Sequence, residues 1–197
     1  MESSTFPIYQ FFPDINKLNN QKIIADLKKN KSEIFRSHKI NHRWENQYLN
    51  IQFVSEVKNI FTQVSEFLKN YDLPSLVVPH SGIGFSFDEF WFNIMEPGDS
   101  TSWHNHKEQA FMSGVYYLQV PKNSGHLLFR MKKHNEFIYN IIKVKTGKVV
   151  LFPSSLDHSV EQNNSNQVRI SISFNLYKLP IKAECFNEGY SMKKFYE

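Results

Sequence analysis

The stretch QVRISISFNLY, residues 167–177, decides the class of fold that we expect for this chain. Its apolar side chains alternate one by one with polar or amphipathic ones; Ile170, Ile172, Phe174 and Leu176 alternate with Ser171, Ser173, Asn175 and Tyr177. Successive side chains of an extended chain point to opposite sides, so a period of two predicts a β-strand with one apolar face.

Several short segments before this strand share its content of β-branched and aromatic residues. They span 85–95, 113–120, 126–131, 140–145 and 147–154, and turn sequences such as PGDS, PKNSG and KTG separate them. Further upstream, residues 14–30 and 51–70 carry apolar side chains at helical steps of three and four. Helices followed by roughly seven or eight strands favour a mainly β fold with N-terminal helices, a double-stranded β-helix of the cupin-like jelly-roll kind.

The chain has 197 residues, which suits a single domain with a core of its own. We expect residues 1–80 to form a helical N-terminal buttress and residues 83–177 to form the jelly-roll core. Residues 178–197 then remain as a tail, a lid or the arm of a homodimer. No internal repeat or low-complexity linker divides the sequence.

Composition disfavours several classes of protein. The net charge is +4, but the lysines are scattered and form no five-residue basic block, which disfavours nucleic-acid binding. Cys185 is the single cysteine, so a cysteine-based metal site is excluded and a reducing compartment fits. The first residues lack the pattern of a signal peptide, and no apolar window reaches the length of a membrane span. We therefore expect a cytoplasmic protein without a membrane partner.

Three histidines are the candidate metal ligands. His104 and His106 lie two residues apart, and in an extended segment this spacing places both imidazoles on one side. Such a pair also occurs as exposed or structural histidines. His158 follows a buried strand and a short turn, and in a jelly roll its strand can face that of the pair across the barrel mouth. Three ligands on one side of an ion leave the other side open, as in non-haem iron oxygenases.

Arg169 is the candidate anion-binding residue. It comes eleven residues after His158 and shares its strand face with Ser171 and Ser173. A buried guanidinium needs an anionic partner, and its planar fork matches a carboxylate through two hydrogen bonds. That partner is either the carboxylate of a ligand or a protein Asp or Glu.

The order of these residues resembles that of the 2-oxoglutarate- and Fe(II)-dependent dioxygenases. In both, a His-x-ligand pair is followed after about fifty residues by a histidine and after about ten more by Arg-x-Ser. The resemblance covers roughly residues 85–177 and is strongest to a bacterial and phage group of such oxygenases. It implies Fe(II) held by His104, His106 and His158, and 2-oxoglutarate held by Arg169 and Ser171.

A second match adds to the site that the resemblance implies. Asn93 and Pro97-Gly98 precede the histidine pair much as an Asn and a Pro-Gly do in the nucleobase-demethylase branch, where the Asn contacts 2-oxoglutarate. Asn93 is therefore a further candidate. Tyr116 and Tyr117 face opposite sides of one predicted strand, and we take Tyr116 as the tyrosine that hydrogen-bonds 2-oxoglutarate, with packing in the core as the competing interpretation.

The sequence departs from the superfamily at His106, where most members have Asp or Glu. In one interpretation three histidines hold the iron and 2-oxoglutarate supplies the negative charge. In the other, His106 lies outside the ligand sphere, and Glu108 or water completes it. We favour three histidines because the spacing of the pair fits that of ligands. Zn or Ni also binds three imidazoles.

The function that follows is an oxygenase that hydroxylates a small molecule or a protein with release of succinate and CO2. Two alternatives stay open. The first is a three-histidine metal dioxygenase of the cupin type that does not use 2-oxoglutarate and whose Arg169 holds the carboxylate of the substrate itself. The second is a jelly-roll binding module without catalysis.

Overall fold

The computed structural model describes residues 7–40, 43–106 and 110–181, which fold mainly into β-strands. The helices are α1 (Asn20–Lys29) and α2 (Val57–Leu68). The strands, in chain order, are β1 (Tyr9–Phe11), β2 (Phe35–Ile40), β3 (Arg43–Tyr48), β4 (Leu76–Val77), β5 (Phe90–Met95), β6 (Thr101–His104), β7 (Met112–Gln119), β8 (Leu127–Lys133), β9 (Glu136–Ile142), β10 (Val149–Pro153), β11 (Asp157–Val160) and β12 (Arg169–Lys178).

The strands form two antiparallel sheets. The large sheet has the order β1-β10-β7-β12-β5-β3-β2, with β4 paired to the end of β12, and the small sheet has the order β6-β11-β8-β9. From β5 to β12 the chain crosses repeatedly between the two sheets. This is the double-stranded β-helix, or jelly roll, that the sequence predicts, and it accounts for the short strands and frequent turns.

Both helices contribute to a core on the outer face of the large sheet. The apolar stripe of α2 is buried and consists of Val57, Ile60, Phe61, Val64 and Leu68. The Phe61 ring lies 5.4 Å from the rings of Phe90 and Phe174. The apolar side of β12 therefore faces the helices, and its polar side faces the small sheet.

The N-terminal region is not only the helical buttress that we expected. It also contributes β1 to β4, which extend the large sheet: β1 pairs with β10, and β3 joins β5 where Gln47 is the partner of Phe92. The added strands cover hydrogen-bonding edges that would otherwise be exposed. Their alternation is too short and too interrupted by polar residues to be recognised in isolation.

The sequence analysis expected His104 and His158 on extended segments but gave no bounds for them; the structure places them on β6 and β11, four residues each. The C-terminal segment that was predicted as a tail, lid or dimer arm lies outside the described residues from 182 onward, together with Cys185. Within residues 7–40, 43–106 and 110–181, no helix has the length and apolar character needed to cross a membrane.

Candidate active site

A cavity of about 280 Å³ lies between the two sheets, on the polar side of β12. Residues of both sheets and of the loops that join them line it. Those used below are Trp91, Asn93, His104, His106, Ser113, Tyr117, His158, Arg169 and Ser171. The cavity therefore contains all three predicted metal ligands and three of the four residues predicted to bind the co-substrate.

The three histidines converge on one point of this cavity. Their candidate ligand atoms all lie within 4.8 Å of one another. The ring centroids of His104 and His158 are 4.2 Å apart, because the two residues are direct partners on the neighbouring strands β6 and β11. We expected these strands to face each other across the barrel. They are instead adjacent in the small sheet, which holds the two imidazoles side by side.

Hydrogen bonds to the backbone orient two of the rings. Nδ1 of His104 lies 2.9 Å from the carbonyl oxygen of Ser102, and Nδ1 of His158 lies 2.9 Å from that of Leu156. A carbonyl oxygen only accepts, so each Nδ1 carries the proton and donates it. Nε2 of each ring is then left with a lone pair, which is the form that binds a metal ion.

His106 is held by different groups. It follows β6, and its backbone N–H donates to the carbonyl oxygen of Ser154 at 2.8 Å. Nδ1 of its ring lies 2.8 Å from Oγ of Ser113 and 3.3 Å from Oδ1 of Asn175. Glu108, the alternative ligand in the sequence analysis, lies outside the described residues.

The buried histidines are neutral at neutral pH. Burial, followed by repulsion from His104, lowers the pKa of His106 to about 3. Burial also lowers the pKa of His158 well below its ordinary value, with smaller contributions from the two neighbouring imidazoles. Metal binding requires the neutral imidazole, so burial prepares both rings for it.

Asn105, the residue between the paired histidines, is hydrogen-bonded to β11. Nδ2 of Asn105 donates to Oδ1 of Asp157 at 2.6 Å, and Nε of Arg130 donates to the other carboxylate oxygen at 3.0 Å. The guanidinium of Arg130 stacks on the ring of Trp103 at 4.6 Å. This network fixes Asn105, and with it the spacing of His104 and His106.

Arg169 is 1% exposed and lines the cavity. Its Nη1 donates to the carbonyl oxygens of Ser124 and Gly125, at 3.0 and 3.1 Å. Gly125 has a φ of 82° and its carbonyl can turn toward Arg169 without strain. Within the described part of the chain, no Asp or Glu forms an ion pair with Arg169, and its buried Nε has no hydrogen-bond partner. The interpretation of a salt bridge to a protein acid is therefore not supported.

The tyrosine prediction requires a correction. Tyr116 points to the helical side of the large sheet, where its hydroxyl donates to Oδ1 of Asn20 at 2.7 Å. Tyr117 lines the cavity instead, and the Arg169 guanidinium lies 5.2 Å from the centre of its ring. Burial raises the pKa of Tyr117 to about 12, against the opposing effect of Arg169, so the hydroxyl remains a hydrogen-bond donor. The alternation along β7 places Tyr117 on the face of Ser113 and Tyr116 on the opposite face, but it does not say which face lines the cavity.

Ser171 and Asn93 form a row with Tyr117 across three strands. Ser171 of β12 is the direct partner of Asn93 on β5 and of Tyr117 on β7. Nδ2 of Asn93 donates to the carbonyl oxygen of Glu45 at 2.8 Å, and its Oδ1 accepts from the Ser173 hydroxyl at 2.7 Å. Both predicted co-substrate residues therefore lie in the cavity wall, next to Arg169.

The sequence analysis missed three buried polar residues that form a hydrogen-bonded chain starting at His106. The Ser113 hydroxyl donates to Oδ1 of Asn175 at 2.9 Å, and Nδ2 of Asn175 donates to Oε2 of Glu89 at 3.1 Å. Burial raises the pKa of Glu89 to about 8. In sequence, only the position of an acid directly before an aromatic strand, in DEFWF, pointed to Glu89.

The donor set fits the metal and co-substrate of a non-haem iron oxygenase. Three imidazoles on one side of an ion leave coordination positions for a bidentate ligand and for oxygen. Residues 89–175 match the model of a family described as "Putative 2OG-Fe(II) oxygenase". Residues 89–175 therefore carry a 2OG-Fe(II) oxygenase domain. The oxygenase domain therefore belongs to the oxidoreductases, and Fe(II) and 2-oxoglutarate are the cofactors of its family.

Solved structures share the fold of the oxygenase domain. SnoK, a non-haem α-ketoglutarate-dependent carbocyclase from nogalamycin biosynthesis, is 16% identical, with a TM-score of 0.60 over 87% of this chain and 79% of its own. A prolyl-4-hydroxylase from Pseudomonas putida is 13% identical, with a TM-score of 0.58 over 89% and 94% of the two chains. A prolyl hydroxylase from Trichoplax adhaerens, in complex with a hypoxia-inducible-factor peptide, is 14% identical, with a TM-score of 0.61 over 88% and 84%. No curated protein matches the chain significantly.

Proposed function

We propose that the oxygenase domain hydroxylates a C–H bond of its substrate, with one atom of O2 entering the product and the other entering succinate as 2-oxoglutarate loses CO2. His104, His106 and His158 would hold Fe(II). Arg169 would bind the distal carboxylate of 2-oxoglutarate, with Ser171 and Tyr117 beside it and Asn93 in the adjacent wall.

The unpaired guanidinium of Arg169 carries this proposal. A cation at 1% exposure is costly unless an anion meets it. Arg169 donates to two carbonyl groups and lies against Tyr117, and the described acid that attracts it, Glu161, does not reach ion-pair distance. A dicarboxylate that reaches from the histidines to Arg169 would place one carboxylate at the metal ion and the other at the guanidinium. It also supplies the negative charge that three imidazole ligands do not bring to a bound metal ion.

The protein's own residues have binding and positioning roles in this proposal. The imidazoles present Nε2 because their Nδ1 atoms are engaged, and Arg169 sets the direction of the co-substrate by a fork of two hydrogen bonds. Aromatic walls such as Trp91 and Phe152 exclude water from the cavity. Bound Fe(II) together with 2-oxoglutarate supplies the oxidising chemistry.

Both substrate classes predicted from the sequence stay candidates. Among proteins of this fold, SnoK belongs to the biosynthesis of a small molecule, and the Trichoplax hydroxylase was solved with a peptide. The first test of the proposal therefore does not depend on the substrate.

The test is calorimetric titration of 2-oxoglutarate into protein loaded anaerobically with Fe(II) or Mn(II). We expect binding in the wild type and a loss of at least about 100-fold in Arg169→Ala, because each charge-assisted hydrogen bond contributes about 1.5–3 kcal/mol. Arg169→Lys keeps the charge without the fork and should fall between the two. Uncoupled formation of succinate in air, measured without any substrate, should follow the same order.

The matched control is Arg36→Ala on β2, an arginine outside the cavity wall, which should bind 2-oxoglutarate as the wild type does. Metal binding without 2-oxoglutarate binding would contradict the proposal. If small carboxylic acids then bind in an Arg169-dependent way, the three-histidine dioxygenase replaces it. If no metal binds at all, the binding module does.

A further inference from the structure

The buried residues behind His106 form a directional hydrogen-bond chain. Nδ1 of His106 lies 2.8 Å from the Ser113 hydroxyl, which donates to Oδ1 of Asn175 at 2.9 Å. Nδ2 of Asn175 donates to Oε2 of Glu89 at 3.1 Å. Each of these four residues is at most 7% exposed, so water does not compete for these bonds.

The direction of the chain follows from its last member. Oε2 of Glu89 accepts from both Asn175 and Tyr177, with or without a proton on Oε1. Glu89 therefore draws the Nδ2 end of the Asn175 amide toward itself and turns the Oδ1 end toward Ser113. The Ser113 hydroxyl has one proton and gives it to that Oδ1. Its lone pairs are then free to accept from Nδ1–H of His106, and the lone pair of Nε2 is left for the metal.

The backbone holds these groups in line. Ser113 of β7 and Asn175 of β12 are direct partners in the large sheet, and the backbone N–H of Asn175 donates to the carbonyl oxygen of Glu89 at 3.0 Å. The three side chains therefore follow one row across adjacent strands. Tyr177, two residues along β12, donates a second hydrogen bond to Oε2 of Glu89 at 3.2 Å.

We propose that Glu89 is a positioning residue for the metal centre, acting on His106 through Asn175 and Ser113. Backbone carbonyl groups orient the rings of His104 and His158. His106, which stands where a carboxylate ligand is usual, is instead oriented by a buried acid through two intervening side chains. This inference rests on the proposed function, since it assumes that His106 binds the metal ion.

The test is Co(II) titration of the purified full chain, followed by the visible absorption of the bound ion. We expect Glu89→Gln and Ser113→Ala each to weaken Co(II) binding by about 10-fold or more, the usual effect of removing a partner of a metal ligand. Gln has nearly the shape of Glu but can present a donor to Asn175, so the direction of the chain is lost. Because both changes act on one path, the double variant should lose much less than the product of the two effects.

A spectroscopic measurement separates this role from a merely structural one. In Zn(II)-loaded protein with labelled histidine, the NMR signal of Nδ1–H of His106 should shift in Glu89→Gln, while the signals of His104 and His158 keep their positions. Matched controls are Asp88→Asn, whose carboxylate accepts from Ser81 and Ile51, and Ser65→Ala, whose hydroxyl donates to Leu76. Both should bind Co(II) like the wild type.

The outcomes are distinct. If the wild type binds no Co(II), the metal centre of the proposed function fails, and this inference fails with it. If the wild type binds but Glu89→Gln and Ser113→Ala match their controls, or their effects multiply, only the positioning role is overturned. Ser113→Ala lies at the other end of the path and keeps the test decisive if Glu89→Gln does not fold.

Discussion

At the scale of the residue, the burial of Glu89 beside the candidate site lowers the free energy of unfolding near neutral pH. Its carboxyl group is 5% exposed and is hydrogen-bonded by Asn175 and Tyr177. Burial raises its pKa from 4.5 to about 8. The folded protein therefore holds a proton on Glu89 that the unfolded chain releases near neutral pH, and this difference lowers the free energy of unfolding.

The consequence is a pH-dependent difference between the metal-free wild type and Glu89→Gln. Below about pH 4.5, Glu89 is neutral in both states and its contribution to stability is fully present; it is lost as the pH rises toward about 8. Relative to the wild type, Glu89→Gln should therefore gain stability across this window, on the order of 4 kcal/mol at its upper end. Urea denaturation at a series of pH values in the presence of a chelator measures the gain, and a difference independent of pH contradicts it.

At the scale of the element, the close contact between β7 and β12 depends on a glycine. Gly114 is the direct partner of Phe174, whose ring lies over it on the helical side of the sheet. A Cβ atom at position 114 would lie 2.3 Å from this ring and 2.7 Å from the side chain of Leu151. The two neighbours of Gly114, Ser113 and Val115, face the cavity, so the glycine also sets the position of cavity residues.

Gly114→Ala should therefore lower the free energy of unfolding by about 1–3 kcal/mol, the usual cost of overpacking a core. Chemical denaturation monitored by circular dichroism measures this loss. Adding Phe174→Leu should recover part of it, because the smaller side chain vacates the space of the ring. The contact is not the cause if Gly114→Ala alone is as stable as the wild type.

At the scale of the whole molecule, the N-terminal region and the jelly roll share one core. The core residues of α2 include Phe61, whose ring contacts Phe90 of β5 and Phe174 of β12. Strands β1 to β4 are hydrogen-bonded into the same large sheet. The sequence prediction of one domain leads, with these contacts, to the expectation that the chain unfolds as a unit.

Phe61→Ala tests this expectation. We expect a loss of about 3–5 kcal/mol, as for other buried phenylalanines, and one transition that shifts equally in the helical signal of circular dichroism and in tryptophan fluorescence. Trp91 and Trp103 lie in the jelly roll, far in sequence from α2, and the measurement is made in a Trp44→Phe background because Trp44 lies on β3 of the N-terminal region. Two separate transitions, with only the helical one shifted, would instead indicate two independently stable parts.

The sequence by itself determined those features that depend on a local pattern of side chains, such as which residues share a face of a strand or helix. The period of two along β12 determines that Arg169 and Ser171 share one face, and the structure confirms this arrangement. The helical stripe of α2 and the repeated turn sequences were also sufficient for the fold class. Such patterns are readable because one element only has to bury one face, whatever lies opposite it.

The tertiary structure alone decided which groups meet. The register of β6 against β11 makes His104 and His158 direct partners, and the pairing of β7 with β12 brings Ser113 to Asn175. It also decided that Tyr117 rather than Tyr116 lines the cavity, since the pattern of one strand cannot say which of its faces meets the helices. Asn175 and Glu89 are hydrogen-bonded although 86 residues separate them. Such contacts depend on how the two sheets pair and pack, because a shift of one residue in register turns every side chain to the other face.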